Sequence, residues 1–98
     1  MKCRYTPRAI ADIECIADFL NARNAVVAGK VQIALREAVS RLVLFPHMGR
    51  KQNFNNVRKW VIRKYPYILY YTVDLVAKEI VILSVCHHTE QRPYDDAE

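Results

Sequence analysis

Two adjacent histidines, His87 and His88, close a run of strand-forming residues, and two arginines, Arg58 and Arg63, flank an earlier run. Together with Tyr94 near the tail, these are the residue types an RNA-cleaving site needs. One group must take the 2′-hydroxyl proton, another must hold the pentacoordinate phosphate, and a third must protonate the leaving oxygen. Histidine titrates near neutrality and suits either proton job. Arginine grips a phosphate through forked hydrogen bonds. Each residue also has an ordinary role, because a histidine at a strand end is commonly solvated or bonded to backbone. The catalytic candidates are therefore Arg58, Arg63, His87, His88 and Tyr94, and none is compelling alone.

Metal chemistry is not expected. Cys86, His87 and His88 are consecutive, and neighbours on a strand point to opposite faces, so they rarely grip one ion. Cys3, Cys15 and Cys86 are odd in number and read as reduced thiols filling small core sites. No cofactor motif is present.

Charge is distributed unevenly. The net charge of +5 conceals a stretch, Ala38 to Val73, with seven cations and no acid. Arg50, Lys51, Arg58, Lys59, Arg63 and Lys64 form its main basic surface, and the tail after Val73 is acidic. Such a field implies an anionic partner, either nucleic acid or an acidic protein. The alternative is that the acidic tail covers the basic middle.

The elements that must position these residues follow from periodicity. Ninety-eight residues make one domain, 1–98, able to build a core without disulfides. Lys2 to Tyr5 reads as a short strand. Thr6 and Pro7 start a helix, with hydroxyl cap and proline at its first position. Ile10, Ile13, Ala17 and Leu20 form its apolar face, with Asp12 and Asp18 lying away from it. Asn24 can cap a second helix whose stripe is Val31, Leu35, Ala38, Leu42 and Phe45, ended by Pro46. Gly29 weakens its early turns and suggests close approach to the first helix. Pro46 to Asn56 reads as a loop. Val57–Arg63, Tyr67–Val73 and Ile80–Cys86 read as strands, the last two joined by a hairpin at Asp74–Lys78. The fold class is α+β, ordered β-α-α-β-β-β, a helical hairpin on one face of a mainly antiparallel sheet. Within that sheet Tyr67 and Tyr71 share a face and Tyr70 lies opposite, with packing favoured over base stacking. Trp60 and Ile62 likewise favour the core.

In this order, the motifs resemble those of the RelE/ParE superfamily of type II toxin–antitoxin toxins, and within it the ParE-like plasmid-stabilisation branch. The carrying residues are Tyr5-Thr6-Pro7-Arg8-Ala9 with Asp12-Ile13, then Leu42 and Phe45-Pro46-His47-Met48-Gly49-Arg50. Arg58, Tyr65-Pro66-Tyr67-Ile68 and Tyr70-Tyr71 follow, and Val81-Ile82, Val85 and one of His87 or His88 complete the set. The chain departs from the family's terminal His-x-x-Arg, offering His88-x-x-Gln91, or His87 with Arg92 five residues later, instead. It also lacks the glutamate some ribonuclease-like relatives use as base.

The resemblance implies a toxin held by a cognate antitoxin, often as a heterotetramer, whose extended segment masks the working surface. The leading function it implies is poisoning of DNA gyrase by binding rather than catalysis. The alternatives are a metal-independent, ribosome-dependent mRNA endonuclease of the RelE type and a non-toxic nucleic-acid-binding module. No membrane partner is implied. MKCRYTPRAIADIE lacks the apolar core of a signal peptide, so the cytoplasm is the expected compartment.

Overall fold

Thr6 begins the first helix as the sequence suggests. Its backbone is extended and its hydroxyl accepts the Ala9 N–H at 3.1 Å, with Pro7 next in line. In the computed structural model, which describes residues 1–89, β1 (Lys2–Tyr5) leads into α1 (Pro7–Arg23). Asn24 separates the helices alone. Its N–H closes α1 onto Leu20, and its side chain accepts from Val26 and Val27 to open α2 (Ala25–Leu44). Phe45 ends α2 immediately before Pro46.

The remaining chain forms β2 (Arg50–Lys51), β3 (Val57–Ile62), β4 (Tyr67–Asp74) and β5 (Glu79–His87). The five strands lie in the order β1-β5-β4-β3-β2. β1 pairs parallel with β5, and the other three pairings are antiparallel. This is the α+β, mainly antiparallel architecture expected, with one added strand. β2 falls inside the stretch read as a loop and returns to β3 through Asn55 and Asn56, both at positive φ. Asparagine tolerates that region better than most residues.

The helices cover one sheet face. Val31, Leu35, Ala38 and Leu42 of α2 are buried with Ala9 of α1 against Tyr67, Leu69, Tyr71, Ile80, Ile82 and Val85. Tyr67 and Tyr71 therefore share the helical face, while Tyr70 joins Val57, Ile68 and Cys86 in a second cluster on the opposite one. Trp60 packs on the helical side, half-buried, and Ile62 is buried there.

Five expectations need correcting, the first being Cys15, which is exposed rather than filling a core site. Ile10 is 49% exposed while Ala9 is fully buried, so the α1 face keeps Ile13 and Leu20 but takes Ala9 and Ile16 in place of Ile10 and Ala17. Phe45, at 62% exposure, does not extend the α2 stripe, because the helix stops before it. Among the described residues nothing lies within 4 Å of where a Gly29 Cβ would be, so close helix approach does not explain it. Asp12 points inward rather than away.

That inward carboxylate has a structural cause. β1 stops opposite Ile82, and no other described strand flanks the rest of that edge of β5. The start of α1 takes over: Thr6 N–H donates to Ile82 O, Thr6 Oγ1 to Leu83 O at 2.9 Å, and Val85 N–H to Asp12 Oδ2 at 3.0 Å. The same segment carries a β-bulge. Tyr70 faces Ser84 but Tyr71 faces Ile82, so Leu83 is the extra residue.

Candidate functional site

The basic surface read from the sequence divides into three places. β2 and β3 pair Arg50 with Lys59 and Lys51 with Arg58, setting like charges directly opposite each other. Such pairs oppose sheet formation. Because side chains alternate, Lys51 and Arg58 share the helical side with Tyr71, and Arg50 and Lys59 lie on the other side with Tyr70. Arg63 and Lys64 follow the end of β3 and lie elsewhere.

Arg58 is built into a latch. Its Nη1 donates to the carbonyls of Gly49 at 2.9 Å and His47 at 3.2 Å. Its cross-strand neighbour Tyr71 donates its hydroxyl to Pro46 O at 2.7 Å and accepts the Gly49 N–H at 2.9 Å. Burial pushes the Tyr71 hydroxyl above its ordinary value of 10.0, while the Gly49 hydrogen bond and the Arg58 charge pull it partly back. The two side chains tie the 46–49 segment to the sheet. Around them His47, Lys51, Asn56, Arg58, Val73 and Leu75 line a cleft of about 200 Å³.

The opposite end of the sheet holds the histidines. His87 pairs with Tyr67, which pairs with Ile62, the residue before Arg63. The His87 ring meets Tyr67 edge-on at 5.8 Å and lies 4.5 Å from that of His88. His87 Nδ1 stands 2.8 Å from Thr89 Oγ1 and accepts the Thr89 N–H at 3.3 Å, while His88 N–H donates to Pro66 O. These bonds fasten the end of β5.

The structure thus brings Arg63, His87 and His88 to one end and leaves Arg58 at the other. Four strand steps separate Arg58 from Ile62, about 13 Å, and His87 lies two strands across, about 10 Å more. No single phosphate spans that interval. Tyr94 lies outside the described residues. Among those residues no group of three metal-ligating side chains converges. Burial pushes the Cys3 thiol up, and Cys86 is buried, so neither is a ready nucleophile.

Arg63 and Lys64 of the expected partner-binding surface rim a larger basic groove beside the helices. β2 pairs only with Arg58 and Lys59, so no described strand flanks Trp60–Ile62 on that edge. Beside it a cleft of about 480 Å³ runs between α2 and β3, floored by Ala34, Ala38 and Trp60 and rimmed by Arg41, Arg63 and Lys64 with Glu37. The signal was present in part: Arg41 one turn from Ala38 on α2, and Trp60 next to cations on β3. What the sequence could not show was that β2 ends early. A second, more apolar groove of about 340 Å³ lies between the helices, lined by Ile13, Ala17, Leu35 and Val39 with Tyr5.

Comparison with known proteins narrows the reading. Residues 3–92 match the family model of the ParE toxin of the type II toxin–antitoxin system parDE. The protein Y4kP of Sinorhizobium fredii is 27% identical over 92 residues, covering 94% of this chain and 93% of the relative. Among solved structures, a chain of the chromosomal ParDE system from P. aeruginosa superposes with a TM-score of 0.75 at 27% identity, covering 89% of this chain and 95% of that one. A chain of the intact E. coli RelBE toxin–antitoxin complex gives 0.66 at 15% identity, over 93% of this chain and 98% of that one, a likeness of fold.

Proposed function

This chain belongs to the ParE toxin family of type II toxin–antitoxin systems, and from that premise we propose that it works by binding, poisoning DNA gyrase when free of its antitoxin. The observation that carries this is the separation of Arg58, the phosphate-holding candidate that the family motif supplies, from the acid–base candidates His87 and His88. Arg58 is fixed to two backbone carbonyls at one end of the sheet, and the histidines fasten a strand end at the other. A phosphodiester-cleaving site needs its groups within hydrogen-bond reach of one phosphate.

The antitoxin is the first partner. The groove between α2 and β3 offers an apolar floor, a basic rim and a strand edge. An acidic, amphipathic segment that orders on binding fits it by helix-in-groove or strand-addition recognition. Arg41, Arg63 and Lys64 speed encounter with its acids, and Trp60 and the alanines hold its apolar residues. Heterotetramer assembly and a cytoplasmic setting follow from the same reading. No helix among the described residues is long and apolar enough to cross a membrane.

The test compares two activities of the purified chain. Gyrase is expected to lose supercoiling activity and accumulate cleaved DNA, and induced cells to filament with DNA-damage signalling. Cleavage of mRNA on programmed ribosomes with gyrase untouched would replace this reading with the endonuclease. Adding the neighbour-encoded protein should restore gyrase in proportion to complex formed.

A further inference from the structure

The hairpin between β4 and β5 exposes two aliphatic side chains where a turn would ordinarily carry polar ones. Leu75 is 67% exposed and Val76 is 96% exposed. The turn is nonetheless well bonded. Asp74 Oδ1 accepts the N–H groups of Val76 at 3.1 Å and Ala77 at 3.0 Å, and Lys78 takes the left-handed conformation that returns the chain. The tip is a preorganised apolar point. Leu75 is also one wall of the cleft that holds His47, Lys51, Asn56 and Arg58. The carboxylate beside it, Asp74, is turned to the turn's backbone.

We propose that this end of the molecule binds duplex DNA, with a backbone phosphate in the His47–Lys51–Arg58 cleft and the Leu75–Val76 tip wedged against the adjacent base step. The inference rests on the gyrase reading for its setting, since gyrase works on duplex DNA. Three properties favour DNA over an acidic protein. The cleft, at about 200 Å³, suits a compact anion rather than an extended segment. Arg58 is pre-aimed by the carbonyls of His47 and Gly49, so little side-chain freedom is lost when it meets a phosphate. An apolar wedge beside cations matches how minor-groove binders separate a base step while neutralising the flanking backbone. An acidic protein would need a preformed apolar pocket for the tip at the same spacing from its carboxylates.

The experiment uses the full chain and a labelled duplex of about 20 base pairs, long enough to bend measurably. Binding is read by fluorescence anisotropy between about 50 and 200 mM salt, and bending by energy transfer between the duplex ends. Wild-type protein should bind with a log–log salt slope of about −2 to −3, as expected when the cleft phosphate and one or two flanking phosphates are neutralised, and should change the energy transfer. Lys51→Gln should make the slope shallower by about 1. Leu75→Ser with Val76→Ser should keep the slope, weaken binding about tenfold and remove the change in energy transfer. Both tip positions are exposed, and unchanged thermal midpoints would certify the fold of the variants. Absence of duplex binding at the lowest salt, or tip variants that bind and bend like wild type, would overturn the proposal. So would tighter binding to polyglutamate or anionic vesicles than to the duplex. Supercoiling assays on the same preparations separate the two claims. Gyrase inhibition without duplex affinity defeats this inference alone, and duplex affinity without inhibition defeats the gyrase reading alone.

Discussion

The Tyr71 hydroxyl accepts the Gly49 N–H at 2.9 Å and would lie 2.5 Å from a Cβ placed on that glycine. Gly49 is required by this approach and not by its φ, since no glycine has positive φ. A methyl group there must displace a buried ring. Gly49→Ala should cost about 1–3 kcal/mol, the range for overpacking a filled site. Tyr71→Phe leaves the Gly49 N–H and the Pro46 carbonyl without this partner and should cost about 1–3 kcal/mol. Urea titration of the double variant should show less than the sum, because removing the hydroxyl eases the clash. Strict additivity would mean the two residues are not in contact.

The same hydroxyl sets an alkaline limit. Burial raises its folded pKa above 10.0, so the folded state holds the proton more tightly than the unfolded one. The associated stability is complete below pH 10 and declines as pH rises through the folded value. Chemical denaturation between pH 8 and pH 11 should show wild type losing more stability at the alkaline end than Tyr71→Phe does.

Asp12 offers a contrast between two bonds of one carboxylate. Oδ1 meets Arg8 on the surface, where the arginine side chain is 59% exposed, and Oδ2 takes the Val85 N–H inside. Asp12→Ala should cost about 1.5–3 kcal/mol. Arg8→Ala should cost under about 0.5 kcal/mol. Equal losses in a thermal melt would show that the surface pair was the stabilising one.

Gly29 lies exposed on α2 with open space around it. Gly29→Ala should stabilise the chain by up to about 1 kcal/mol through helix propensity. A lowered urea midpoint would reveal a role for that glycine outside this fold.

At the groove, Arg63→Glu should slow antitoxin association and flatten its salt dependence. Trp60→Ala should instead speed dissociation, with a cost of about 2 kcal/mol or more in affinity if the ring is an anchor. Surface plasmon resonance separates the two effects.

The elements were legible because each carried its own punctuation. Thr6-Pro7, Asn24 and Phe45-Pro46 mark helix ends chemically, and the strands from Val57 onward are rich in β-branched and aromatic residues. β2 was not legible, since Arg50-Lys51 has no apolar member and exists only by pairing with β3. The first position of the α1 face differs because Ile10 looks like core and Ala9 does not, yet only the small residue sits fully buried against the sheet. At the site, the basic character was evident, but its division was not. Which side of a strand a cation occupies depends on register, and register is a property of pairs.

The extra residue at Leu83 has a consequence for chain length. Ile80 and Ile82 face the helices before it, and Val85 faces them after it, a step of three. Removing Leu83 would leave a strictly alternating strand with every flanking side chain still on its present face. Shortening β5 by one residue elsewhere would invert the side chains between the cut and the extra residue. At this position it would remove only Leu83 from the outer cluster and the carbonyl that meets Thr6. β5 therefore has one position at which its length can change with every remaining side chain kept on its present face, whereas a deletion lacking Val81 would exchange the faces of Ile82 and Leu83.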